Sequence, residues 1–245
     1  MLTNNRTSQR WSSDRWWPAL RVLVVCVMLL GSSAWTGPQV QSVAAEEITV
    51  CSTCDYQTIQ AALDASSTGA GDVIVVAAPV HTEDDVTVRK DVTIRGASAE
   101  DTIVQAAAAR GDANDRVFSV ESGATVIIEA LTIRYGRVLG MPSRGGGVLN
   151  RGVLTLRRVL VADNDAVGLL GDPGGEAQGG GVHNDGVLIV EDSTIAGNLA
   201  EGGAGNQCAA GEGLGGGIFN EDGAALTVVN STISGNAAQG GIGYG

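Results

Sequence analysis

The chain predicts an all-β fold, a right-handed parallel β-helix (a solenoid) with a short N-terminal capping α-helix. Three observations carry that expectation. Short phrases repeat along the second half of the chain. Aliphatic residues fall in short runs bounded by Gly, Asn and Asp, with no room for a long helix. The composition offers little else to build from, since 44% of the 245 residues are hydrophobic but only 4% are aromatic, with 36 glycines. A core made of Val, Ile, Leu and Ala suits stacked turns, and it is large enough for one elongated domain.

The repeats come first, because they set the architecture. Gly145-Gly146-Gly147-Val148-Leu149-Asn150 returns as Gly179-Gly180-Gly181-Val182-His183-Asn184 and again as Gly215-Gly216-Gly217-Ile218-Phe219-Asn220. Each block is followed by a second one: Leu154-Thr155-Leu156 running to Asn164, Leu188-Ile189-Val190 to Asn198, and Leu226-Thr227-Val228 to Asn236. A degenerate earlier copy spans Val126 to Gly136. One such unit cannot bury its own apolar face, whereas stacked neighbours can. Coils about 4.8 Å apart place Val126, Leu154, Leu188 and Leu226 in one inward column, and Ile133, Val161, Ile195 and Ile233 in another. Each buried aliphatic contributes ~1.5–3 kcal/mol. Asn tolerates the left-handed backbone of the bends, and at a constant height it forms amide ladders. Asn150, Asn184 and Asn220 are expected in one ladder, and Asn164, Asn198 and Asn236 in the other.

The β-helix domain is expected over residues 46–245. A capping helix over 55–66 is suggested by Tyr56, Ile59, Ala62 and Leu63 at helical spacing after Asp55, which can cap the first turn. Laid over the end of the stack, such a helix covers an open rung. Residues 71–136 then read as the first coils, with strands at Val73–Val76, Val86–Val88 and Val92–Gly96, and residues 145–245 as the Gly/Asn-marked repeats. Two glycine-rich insertions, Asp165 to Gln178 and Leu199 to Leu214, fall at the same point of each repeat. They should emerge on one side, either as a functional surface or as flexible loops. Nothing after Ile233 offers a cap. The expectation is a C-terminally truncated stack, or one that associates end to end through its open rung.

Tyr56-Gln57-Thr58-Ile59-Gln60-Ala61-Ala62-Leu63, followed by Gly71-Asp72-Val73-Ile74-Val75-Val76 and then Val92-Thr93-Ile94-Arg95-Gly96, resembles the N-terminal cap and first coils of pectin-lyase-like β-helix proteins. The later Gly-Gly-Gly-Ile-Phe-Asn and Asn230-Ser231-Thr232-Ile233-Ser234-Gly235-Asn236 phrases resemble the repeats of bacterial secreted and polymorphic outer-membrane β-helix proteins. The resemblance covers residues 48–245. It implies an architecture and leaves the activity open, because this fold hosts lyases, hydrolases, esterases, adhesins and proteins without a known reaction.

Residues 1–45 differ from the rest. Arg6, Arg10, Arg15 and Arg21 precede an apolar run from Val22 to Leu30, and small residues end the segment at Ala44-Ala45. This is the order of a secretory signal peptide cleaved after Ala45. Nine apolar residues fall short of the ~20 of a membrane span, and Val25 before Cys26 argues against a lipoprotein box. Removal of this segment takes away four arginines and Asp14, so the net charge moves from −12 to −15. Such a field repels nucleic acid and anionic membranes. A secreted or cell-surface location makes Cys51 and Cys54 a short structural disulfide rather than a metal or redox pair. Cys208 stays free, pairs with another chain, or competes for one of them.

Polysaccharide lyases of the resembled fold use carboxylates to hold calcium on a uronate, with an Arg or Lys as base, and its hydrolases use clustered aspartates. Candidate catalytic residues here are Asp163, Asp165, His183 and Asp185, with Asp84-Asp85 and Glu191-Asp192 as further acidic pairs. None completes a catalytic motif. His183 shares its repeat position with Leu149 and Phe219 and reads as a packing site. Asp163 and Asp165 flank a turn asparagine. Gly202-Gly203-Ala204-Gly205-Asn206-Gln207 departs from a calcium nonapeptide at Gln207. No cofactor or metal site is expected, beyond weak generic calcium binding by the acidic surface. The sequence favours a non-enzymatic secreted or surface β-helix presenting its glycine-rich loops to carbohydrate or another cell-surface component. The alternative is a polysaccharide lyase or glycoside hydrolase acting on an acidic polysaccharide.

Overall fold

A computed structural model describes residues 45–205 and 209–243. The expected leader, apart from Ala45, and Cys208 lie outside them. The described chain is all-β except for one six-residue helix, and its strands form five parallel sheets of seven, six, five, four and three strands. No described helix is long and apolar enough to cross a membrane.

The path of the chain explains the sheets. From Phe118–Val120 in the five-stranded sheet it runs to Thr125–Glu129 in the seven-stranded sheet and Thr132–Arg134 in the six-stranded one. It continues through Arg137–Gly140 in the four-stranded sheet and Ser143–Arg144 in the three-stranded one. Val148–Asn150 then returns to the first sheet, beside Phe118–Val120 and in register with it. Successive coils therefore supply successive strands, the arrangement compatible with a parallel β-helix.

Register follows the repeats residue for residue. Leu154 pairs with Val126 and Leu188, and Leu188 with Leu226. Val161 pairs with Ile133 and Ile195, and Ile195 with Ile233. All are buried except Leu226 and Ile233, which lie in the last described coil and are 38% and 48% exposed. The seven-stranded sheet also carries an uninterrupted inward column from Ile48 through Ile74, Ile94, Ile128, Leu156 and Val190 to Val228. Alternation fixes this choice of face, because a one-residue slip would send every aliphatic to solvent.

The N-terminal end corrects the sequence reading in two places. A strand, Glu47–Val50, precedes the helix and pairs with Val73–Val76, so the first coils begin there rather than at residue 71. The helix spans only Ile59–Asp64, and its N-cap is Thr58, whose hydroxyl accepts from Ala61 N at 3.1 Å. Asp55 does not cap it, because the Cys51–Cys54 disulfide closes a tight turn that returns Tyr56 to a bridge with Val50. The Glu83 carboxylate accepts from Ile59 N and Gln60 N at 2.7 and 2.9 Å, satisfying two donors that a helix start leaves open.

The helix lies against Val86–Val88, the last strand of the five-stranded sheet. The Gln60 side-chain amide substitutes there for a missing strand, accepting from Thr87 N at 2.8 Å and donating to Thr87 O at 3.4 Å. Lys90 fills the opposite role at the helix C-terminus, where Nζ donates to Ala65 O and Thr68 O at 2.9 and 3.0 Å.

The glycine-rich insertions are not loose loops. They contain the strands Asp165–Gly168, Ala177–Gln178, Leu199–Glu201 and Gly213–Leu214, which pair with Arg137–Gly140, with Ser143–Arg144, with each other and with Ala237–Gln239. Ala166, Ala177 and Ala200 form a small core of their own. Glycine is required by crowding: a Cβ on Gly168 or Gly211 would lie 1.9 Å from the Gly175 carbonyl oxygen.

Ile59 is fully buried between the helix and the first coils. Ile59→Asp is expected to lower stability by several kcal/mol through an unpaired buried charge, and Glu83→Ala by about 1–3 kcal/mol through two stranded helix donors. Denaturant unfolding of both variants measures this, and unchanged midpoints would remove the helix from the cap.

Candidate functional site

Two asparagine ladders hold the corners of the coils. Asn150 Nδ2 donates to Asn184 Oδ1 at 2.7 Å, and Asn184 Nδ2 donates to Asn220 Oδ1 at 2.7 Å. In the second ladder Asn164 Nδ2 reaches Asn198 Oδ1 at 3.0 Å, and Asn198 Nδ2 reaches Asn236 Oδ1 at 2.9 Å. The same oxygens accept the Asn164 and Asn198 backbone N–H groups at 3.0 Å. Asn150, Asn164, Asn184 and Asn198 are wholly buried, so each amide must be satisfied internally.

Asp163 and Asp165 flank this second ladder, and the structure does bring them together. Asp163 occupies the left-handed bend at φ 55°. Arg110 joins the two carboxylates, donating to Asp165 Oδ1 at 2.6 Å through Nη2 and at 3.1 Å through Nε, and to Asp163 Oδ1 at 3.2 Å through Nη1. The Asp165 side chain is only 11% exposed. Its hydrogen bond to Arg110, ahead of all other influences, holds the guanidinium above its ordinary value. One guanidinium thus bridges two carboxylates across the bend, holding the pair in place. Arg110 is the member that sequence reading missed. It sits in the irregular stretch before Val117, outside the repeat, where no spacing links it to Asp163.

His183 and Asp185 belong to a different face. Leu149, His183 and Phe219 are the middle residues of adjacent strands, in register. Leu149 and His183 are 3% and 1% exposed. Arg144, Gln178 and Leu214 form a column on one side. Arg151, Asp185 and Glu221 follow the asparagine ladder on the other side, with Asp185 exposed.

His183 stacks on Phe219 with ring centres 5.4 Å apart. Its Nε2 lies 3.6 Å from Glu221 Oε2, and its Nδ1 has no hydrogen-bond partner. Burial first, and the nearby Arg144 guanidinium second, push the imidazole down to about 4. The buried, neutral ring packs in register with its repeat equivalents Leu149 and Phe219.

The remaining acidic candidates are dispersed. Asp85 sits in a left-handed bend, where burial and then repulsion by Asp115 push its carboxyl up. Glu191 is bound by Arg157 Nε at 3.1 Å, while Asp192 accepts from Asn230 Nδ2 at 2.5 Å. Among the described residues no three His, Cys, Asp or Glu side chains are grouped so as to hold a metal ion.

The insertion stack carries another kind of feature. Leu139, Met141, Leu169, Leu170 and Ile242 are 43–64% exposed along it. A shallow hollow beside Met141 is lined also by Pro142, Pro173, Gly174, Gly175 and Glu176. Singly exposed aliphatics are ordinary on a protein surface; here five fall within or beside the insertions.

Comparison with models of known protein families, with curated proteins and with solved structures returned no match to this chain.

The His183 geometry fixes a pH dependence. Its folded value of about 4 lies below the ordinary 6.5, so between those limits the unfolded chain binds a proton that the folded chain refuses. Stability is therefore expected to fall as pH drops from about 6.5 to about 4, by at most ~1.4 kcal/mol per unit for one group. Replacement by the repeat equivalent, His183→Leu, should keep the fold and flatten that part of the profile. Urea midpoints measured for both proteins at pH 7 and pH 4.5 decide it, and parallel profiles would show that His183 does not control the slope.

Proposed function

We propose that this chain is a secreted or surface-displayed right-handed parallel β-helix of pectin-lyase-like type. Its work is binding: it presents the stacked glycine-rich insertions to a glycan or another cell-surface component. The observation that carries this reading is the exposed apolar rim of Leu139, Met141, Leu169, Leu170 and Ile242, held on backbone that pairs from coil to coil. Five large side chains cost solvation free energy there, and only a partner that covers them offsets it. Rigid support keeps the ordering entropy of binding low.

The lyase or hydrolase alternative has less behind it. Of its candidate acid–base groups, Asp163 and Asp165 share the Arg110 guanidinium, the His183 ring is buried, and Asp185, though exposed, belongs to no group of three His, Cys, Asp or Glu among the described residues that could hold a metal ion.

Adsorption of the purified protein to a panel of insoluble polysaccharides and bacterial cell walls tests the proposal. The double variant Met141→Asp, Leu170→Asp should lose at least about tenfold in affinity, the equivalent of ~1.4 kcal/mol, with its thermal unfolding unchanged. The same panel is followed for unsaturated products and new reducing ends. Turnover that Asp165→Asn abolishes would replace the binding reading with the enzymatic one.

A further inference from the structure

A second face of the molecule, away from the insertions, has a charge order that fits a copy of itself. Strands of the seven-stranded sheet end in an outward column that reads Arg95, Glu129, Arg157, Glu191 on four consecutive, in-register coils. Arg157 bridges to Glu191 at 3.1 Å and to Glu129 at 3.7 Å, while Arg95 reaches back to Glu47 at 2.5 Å. In a chain of net charge −12, these four residues sum to zero. Beside them, in the next outward column, Thr93, Ile127, Thr155 and Ile189 alternate on the same four coils. Val153 and Val187 beyond them are 37% and 38% exposed.

The order matters because it is self-complementary. A two-fold axis parallel to the strands, placed between the coils of Glu129 and Arg157, brings the column against its own reverse. Arg95 then meets the second copy's Glu191, Glu129 meets its Arg157, and each threonine of the neighbouring column meets an isoleucine. This is the requirement of an isologous contact, in which residue i touches j and j touches i. Elsewhere the acidic surfaces of two copies repel each other.

With the axis between the Glu129 and Arg157 strands, six of the seven strands overlap, and at ~4.8 Å spacing with five residues at ~3.3 Å they make a face of roughly 29 by 16 Å. Two such faces remove roughly 900 Å² from water, the size of a weak, reversible contact.

We propose that the protein forms a two-fold dimer through the outer face of the seven-stranded sheet, with the Arg95–Glu129–Arg157–Glu191 column crossing its own copy. The dimer is weak and weakens further with salt, since its charges are screened at the rim.

Sedimentation of the full chain over a concentration series tests this. The expected result is a monomer–dimer equilibrium that shifts at least tenfold toward monomer in Ile189→Glu, with unfolding unchanged because the side chain already faces out. Arg157→Glu should also give monomer, since symmetry sets two pairs of glutamates against each other. The exchange Arg157→Glu with Glu129→Arg breaks the alternation within one chain but restores opposite charges across the dyad, so dimer should return. A monomer at all concentrations, a dimer indifferent to Ile189→Glu, or loss without recovery in the exchange variant would each overturn the proposal.

Discussion

Everything in this molecule depends on the parallel hydrogen-bond ladder between one coil and the next. A strand of three to five residues has no stability alone, and its N–H and C=O groups are satisfied only by the coils above and below. Register is therefore inherited: once Leu154 lies beside Val126, Leu188 must lie beside Leu154, and side chains of one kind accumulate in columns. Those columns account for the aliphatic core, the two asparagine ladders and the charged ladder alike. In each case a weak pairwise interaction is repeated at constant spacing, and the neighbours orient one another.

The same constraint governs what the coils can accommodate. The insertions lengthen the coil without breaking the stack because they too pair from layer to layer, at distances that leave no space for a Cβ. Glycine here is a demand of close backbone approach rather than a sign of mobility. Beside the first described coils, polar side chains meet backbone groups that no strand pairs with. Gln60 imitates a peptide group against Thr87, Glu83 closes the helix start, and Lys90 closes its end.

Ion pairs between coils recur along the surface. Five of the ten described arginines bind carboxylates of other coils, as Arg110 binds Asp163 and Asp165 and Arg157 binds Glu191. Such exposed pairs add little stability each. Their effect is to fix side chains in place.

The sequence by itself determined the elements whose physics is local or periodic. Gly-Gly-Gly-x-x-Asn phrases and alternating aliphatics place the strands, the inward columns and the asparagine ladders, because a repeated residue at a repeated spacing can only stack on itself. The alternation of Arg95, Glu129, Arg157 and Glu191 at strand ends was equally open to reading. Only the tertiary structure decided which side chains meet from non-repeating segments. Arg110 reaches Asp165 across 55 residues, Gln60 reaches Thr87, and Thr58 rather than Asp55 starts the helix because a disulfide-closed turn turns the chain back first. It also decided that the insertions are ordered, since their pairing depends on backbone approach between coils and not on any side-chain pattern. Periodicity transmits information along one chain direction, whereas these contacts arise from where the coil happens to bring irregular stretches together.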